Sequence, residues 1–157
     1  MSDTEKEQRR SGPDNSMDQS EIDKTVLLKK CRQAVEEGRV ELIEELLDNG
    51  LATGIDFGSG VTPLHIAVQE GQPVAVRVLL ARGADPNAVT RAGWTSLHMA
   101  ALTGNSEIVR LLLDHGAILD KPNDQGHRPI DLAKMHGRKE IFLLLRKAGR
   151  KVWQFWK

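Results

Sequence analysis

The strongest constraint on this chain is a period of 33 residues. The phrase Thr62-Pro63-Leu64-His65-Ile66-Ala67 returns as Thr95-Ser96-Leu97-His98-Met99-Ala100. It returns again, altered, as Arg128-Pro129-Ile130-Asp131-Leu132-Ala133. Glycines keep the same period in three registers: Gly38, Gly71, Gly104 and Gly137; Gly50, Gly83, Gly116 and Gly149; and Gly60, Gly93 and Gly126. A fixed period in this range marks stacked repeats, in which a unit buries its apolar face only against its neighbours.

Each unit reads as helix, turn, helix, loop. Thr62 and Thr95 stand where an N-cap oxygen would accept a free backbone N–H. Pro63 and Pro129 follow at the first helical position, where a missing N–H costs nothing. Asp131 sits in the first turn, where the helix dipole favours a negative charge. The first helix is rich in alanine (Ala67, Ala100, Ala101, Ala133), so a neighbouring helix can approach closely. The second carries apolar residues on one face: Ile43, Leu46 and Leu47, then Val76, Leu79 and Leu80, then Val109, Leu112 and Leu113. Gly83 and Gly116 follow as C-terminal caps.

These residues resemble the ankyrin-repeat family. Thr62-Pro63-Leu64-His65, Gly71, Leu79-Leu80, Gly83-Ala84-Asp85 and Asn87 carry the resemblance, with Thr95 to Gly126 as a near-complete second copy. It covers roughly Leu28 to Gly149. It implies an all-α solenoid of four stacked helix-turn-helix units with projecting hairpin loops. The expected organisation is a disordered polar leader over 1–20, a repeat domain over 21–149 and a basic aromatic tail over 150–157. The units fall at about 21–61, 62–94, 95–127 and 128–149. The first lacks the Thr-Pro-Leu-His opening, as a terminal repeat should. Its long first helix is expected from Glu21 to Glu37. Ser11, Ser16 and Ser20 are candidate phosphorylation sites in or beside the leader.

Charge and composition narrow the function. The chain has 22 basic and 22 acidic residues, so no global field draws it to nucleic acid or acidic membranes. The charge is uneven along the array: seven acids and four bases from Leu28 to Val61, against one acid and seven bases from Arg138 to Lys157. A lone cysteine, Cys31, suits a reducing compartment. The opening residues hold no apolar run, so no secretory leader is expected, and a cytoplasmic or nuclear setting is. His65 and His98 occupy equivalent places, where the resemblance implies a structural hydrogen-bond network. His115 precedes a helix-capping glycine. No cluster has zinc spacing, and there is no phosphate loop, nucleophile elbow or Cys/His dyad. No catalytic, cofactor or metal site is expected.

A solenoid instead offers an extended concave surface. The resemblance places partner-facing positions on the loop tips and at the ends of the first helices. Counting each loop with the helix it leads into, those positions are Glu70 in the second unit, Arg91, Trp94, Leu102 and Thr103 in the third, and His127, Met135 and His136 in the fourth. Trp94, Leu102 and Met135 are large and apolar where the scaffold does not demand it, and Trp and Arg are enriched in hot spots. The expected function is a small, monomeric, non-catalytic adaptor or inhibitor that grips another protein in this groove, with Glu36, Glu37 and Glu70 as an acidic flank. Trp94 packing along its own loop is the plainer reading. The tail, Arg150, Lys151, Trp153, Phe155 and Trp156, either folds back over Phe142 as a cap or projects. A projecting tail suits an anionic membrane or an acidic partner. Single-stranded nucleic acid is the weaker expectation.

Overall fold

The local signals place a helix wherever an N-cap or proline precedes an apolar stripe, and a left-handed glycine ends most of them. The computed structural model describes the backbone of residues 19–154 and the side chains of 23–150. It contains α1 (Gln19–Glu36), α2 (Val40–Asp48), α3 (Pro63–Gln69), α4 (Pro73–Ala81), α5 (Ser96–Thr103), α6 (Ser106–Asp114), α7 (Pro129–Met135) and α8 (Lys139–Gln154). No strand occurs among the described residues. No helix among them is long and apolar enough to cross a membrane.

The helices form two layers. The first helices of the units, α1, α3, α5 and α7, touch in chain order, and so do the second helices, α2, α4, α6 and α8. The alanines do what their size predicts: Ala34, Ala67, Ala100 and Ala133 are all fully buried between neighbouring units. Leu64, Leu79, Leu97, Ile108, Leu112 and Ile141 fill the space between layers, each at most 1% exposed. Burying a side chain of this size contributes about 1.5–3 kcal/mol. The first unit is closed by polarity. Gln33 is exposed where Ile66 and Leu132 are buried, and Glu45 is exposed where Val78, Leu111 and Leu144 are half-buried.

The expected first helix, Glu21 to Glu37, is observed as α1, which takes in Gln19 and Ser20 from the leader. The rest of the leader, with Ser11 and Ser16, lies outside the described residues. The last unit departs from expectation. Gly83 and Gly116 have φ of 86° and 85° and end their helices, whereas Gly149 has no positive φ and lies inside α8. The chain runs on as helix to Gln154, so the tail begins as an extension of α8. Nothing in Arg150-Lys151-Val152-Trp153 breaks a helix, and an interior glycine costs only about 1 kcal/mol. Lys151 and Trp153 ride on this extension by backbone; their side chains, and all of Phe155 and Trp156, lie outside the described residues.

Candidate functional site

The helix ends and loops that carry the candidate residues are held by a repeated hydrogen-bond unit. His98 Nδ1 receives the Thr95 N–H at 3.1 Å and the Thr95 hydroxyl at 2.8 Å. The His98 N–H returns a bond to Thr95 Oγ1 at 3.4 Å. Its Nε2–H donates to the His127 carbonyl at 3.0 Å, in the loop that leads to the next unit. A carbonyl only accepts, so Nε2 carries the proton and Nδ1 stays bare. His65 repeats the arrangement, with Thr62 at 3.2 Å and 2.9 Å and the Ala88 carbonyl at 3.1 Å. Both rings are fully buried. Desolvation holds them below the usual 6.5, although neighbouring backbone carbonyls pull the other way. Both nitrogens are committed, so neither ring is a spare ligand. The altered copy keeps only the local half: Arg128 N–H donates to Asp131 Oδ2 at 3.0 Å. The Arg128 side chain holds the Asp131 carboxyl below the usual carboxylate range.

The loops then stack on one another. Arg91 N–H donates to the Ser59 carbonyl at 2.7 Å, and Asp124 N–H to the Ala92 carbonyl at 3.2 Å. In the first loop the Gly58 N–H, in the register of Arg91 and Asp124, goes to Asp56 Oδ1 at 2.7 Å. Asn123 braces the last loop, with Oδ1 accepting from Gln125 and His127 N–H, both at 3.0 Å. Its Nδ2 and His127 Nδ1 are buried without a protein partner. Asn87 ties its loop to the following unit through Gly116 O at 3.0 Å and Ile118 N at 2.8 Å. The family resemblance carried by Thr-x-x-His implies a histidine network; nothing in the periodicity signals Asp56 or Asn123, which serve single loops.

On this frame the candidate residues form two rows. Glu70, Thr103 and His136 share one register at the C-terminal ends of α3, α5 and α7, and all are exposed. Leu102 and Met135 stand one residue earlier; Leu102 is half-buried and Met135 is 61% exposed. Arg138 reaches over from the fourth unit and donates from Nε to the Leu102 carbonyl at 3.0 Å, fixing the end of α5. Thr103 is bonded to the Ala100 carbonyl at 3.3 Å. The loop row holds Arg91, exposed, and Trp94 and His127, half-buried.

Trp94 is not idle apolar surface. Its indole packs against the core, with its ring centroid 5.9 Å from that of His98 at a 50° tilt. This ring contact is to α5 rather than along the loop that carries Trp94. The acidic flank is also engaged in part: Glu36 accepts from Arg32 Nε at 2.8 Å, and Glu37 from Gln33 Nε2 at 2.8 Å. Arg150 is exposed on α8 and lines a shallow cleft with Asp120 and Arg128.

The sequence matches a family model, that of ankyrin repeats in three copies, over residues 12–90 and 75–155. No curated protein matches the chain.

Proposed function

The chain belongs to the ankyrin-repeat family, whose members are generally protein–protein interaction modules, and from that premise we propose that it acts as a small non-catalytic adaptor or inhibitor. It grips a partner protein through the rows at the ends of α3, α5 and α7. The observation that carries this reading is Met135, 61% exposed at the end of α7, in the register of half-buried Leu102 at the end of α5. An apolar side chain held on a rigid helix end is a low-entropy anchor, and cores of interfaces are built from such residues. Arg91, Trp94 and His127 supply the polar and aromatic loop side, and Glu70 the acidic end. Reducing surroundings, cytoplasmic or nuclear, fit Cys31, which is buried, unpaired and pushed up to about 11 by desolvation.

The test is affinity capture from a cell lysate with two baits, the intact chain and Thr103→Arg/Met135→Arg. Both sites are exposed, so the thermal midpoint should move by less than about 2 °C. A protein retained by the intact chain and lost with the variant supports the proposal. Equal recovery on both baits removes these rows as the binding surface.

A further inference from the structure

The face that the fourth unit turns away from the third is built unlike its counterparts. Val35, Val68 and Ala101 share a register and are fully buried beneath the following unit; that register holds Lys134 in the fourth unit, exposed. Ile43, Val76 and Val109 are buried, and Phe142 follows them, half-exposed. Leu80 is buried and Arg146 is exposed in its register; Ala84 and Ala117 are buried and Arg150 is exposed in theirs. Another repeat seated here would bury three cations, at several kcal/mol each without partners. This face is not made to receive one.

A further register changes in the opposite direction. Arg77 and Arg110 reach forward to Glu107 at 3.3 Å and Glu140 at 3.7 Å. Their counterpart is Leu143, apolar and 59% exposed. Lys139, Phe142, Leu143, Arg146 and Arg150 are spaced to share one stripe of α8. The stripe is about 16 Å long at 1.5 Å per residue. Beside it, Ala133, Phe142 and Leu143 floor a cleft of about 370 Å³ with Lys134 and Lys139 at its edge. Among the described residues none of the four cations Lys134, Lys139, Arg146 and Arg150 is ion-paired.

We propose that this stripe is a second binding surface, separate from the helix-end rows, which takes an acidic amphipathic helix of a partner protein. An apolar pair in the centre with cations on both sides is complementary to a helix that carries apolar residues at i, i+3, i+4 and i+7 and carboxylates beside them. The 16 Å span matches about three turns. A second copy of this chain fits less well. Its free first-unit face offers Gln33, Glu41 and Glu45 in the stacking registers, which would set carboxylates on Phe142 and Leu143. A bilayer fits less well too, since the apolar floor lies in a cleft between α7 and α8.

The probe is a fluorescein-labelled synthetic peptide of about three turns, with leucines at that spacing and glutamates on the flanks. Its anisotropy is followed as the intact chain is added, alongside a peptide with lysine for glutamate and vesicles of phosphatidylserine. The acidic peptide should bind, more weakly as salt rises. Leu143→Arg, which places there the residue of the second and third units and so keeps the fold, should weaken it at least roughly tenfold. Lys134→Glu/Arg146→Glu should do the same, while Met135→Arg leaves it unchanged, which separates this surface from the helix-end rows. No binding of the acidic peptide, equal binding by Leu143→Arg, equal binding of the lysine peptide, or binding of vesicles alone would each overturn the proposal. So would sedimentation showing an oligomer that Leu143→Arg disperses, since the occupant would then be a second copy.

Discussion

His65 and His98 are the residues on which each repeat closes. Each caps its own helix through Nδ1 and holds the next loop through Nε2, and the first use requires the neutral ring, because a protonated Nδ1 cannot accept. Burial lowers their folded pKa below 6.5, while the unfolded chain titrates near that value. As pH falls through about 6.5 the unfolded chain takes up protons that the native rings refuse, so stability is full above this pH and declines below it. The urea midpoint should therefore drop between about pH 7.5 and about pH 5.5, and His65→Gln/His98→Gln should flatten much of that slope. An unchanged slope in the double variant would mean that other groups dominate. That these rings serve a structural network was implied by the family resemblance that the recurring Thr and His carry; the far carbonyls, 23 residues on for His65 and 29 for His98, were not legible from the spacing. Trp94 was not legible in the same way. Its register is clear from the sequence, but whether its indole lies on His98 or faces a partner depends on tertiary neighbours that no local pattern encodes.

Among the elements, the loops show where backbone conformation and packing separate. Gly93 and Gly126 both need left-handed φ, 73° and 80°. A Cβ on Gly93 would stand 2.6 Å from Asp124 Oδ1 and 3.0 Å from its backbone nitrogen, whereas one on Gly126 meets nothing within 4 Å. Alanine at Gly126 should cost about 1 kcal/mol for conformation alone, and alanine at Gly93 about 2 kcal/mol or more. Urea unfolding of the two variants measures the difference; equal losses would show that the loop stack gives way freely. The helices themselves were readable from capping residues and apolar stripes, although α1 takes in Gln19 and Ser20 from the expected polar leader. The end of α8 was not, because a glycine permits a left-handed turn without requiring it. At Gly83 and Gly116 a left-handed φ turns the chain into a loop, while at Gly149 the φ is not positive and the backbone stays helical to Gln154.

At the scale of the whole molecule the array is a line of nearest-neighbour contacts, acidic at its first unit and basic at its last. Units in the middle are held on both sides, so opening should begin at the ends. Amide exchange should be slowest at Ala100, Leu112 and Val76, all fully buried, and fastest in the first turns of α1 and in α8 beyond Lys147. Uniform protection across α1 to α8 would instead indicate a single cooperative unit. The outer ion pairs Arg77–Glu107 and Arg110–Glu140 lie on exposed surface and add little to this coupling. Stacking order could be read from the period alone. The basic, apolar stripe on α8 appears only when the registers are compared with the burial of each position, because a cation or a leucine in the wrong register is unremarkable by itself. The histidine bonds, finally, run one way, from each ring forward to a carbonyl 23 or 29 residues later. A chain emerges from the ribosome in that same direction. Each finished helix pair is thus a jig, its donor already aimed when the loop it will hold leaves the exit tunnel. Assembly then has a direction even though the finished stack looks nearly symmetrical. Nascent chains arrested just before and just after His127 clears the tunnel should differ in the protease resistance of the third unit.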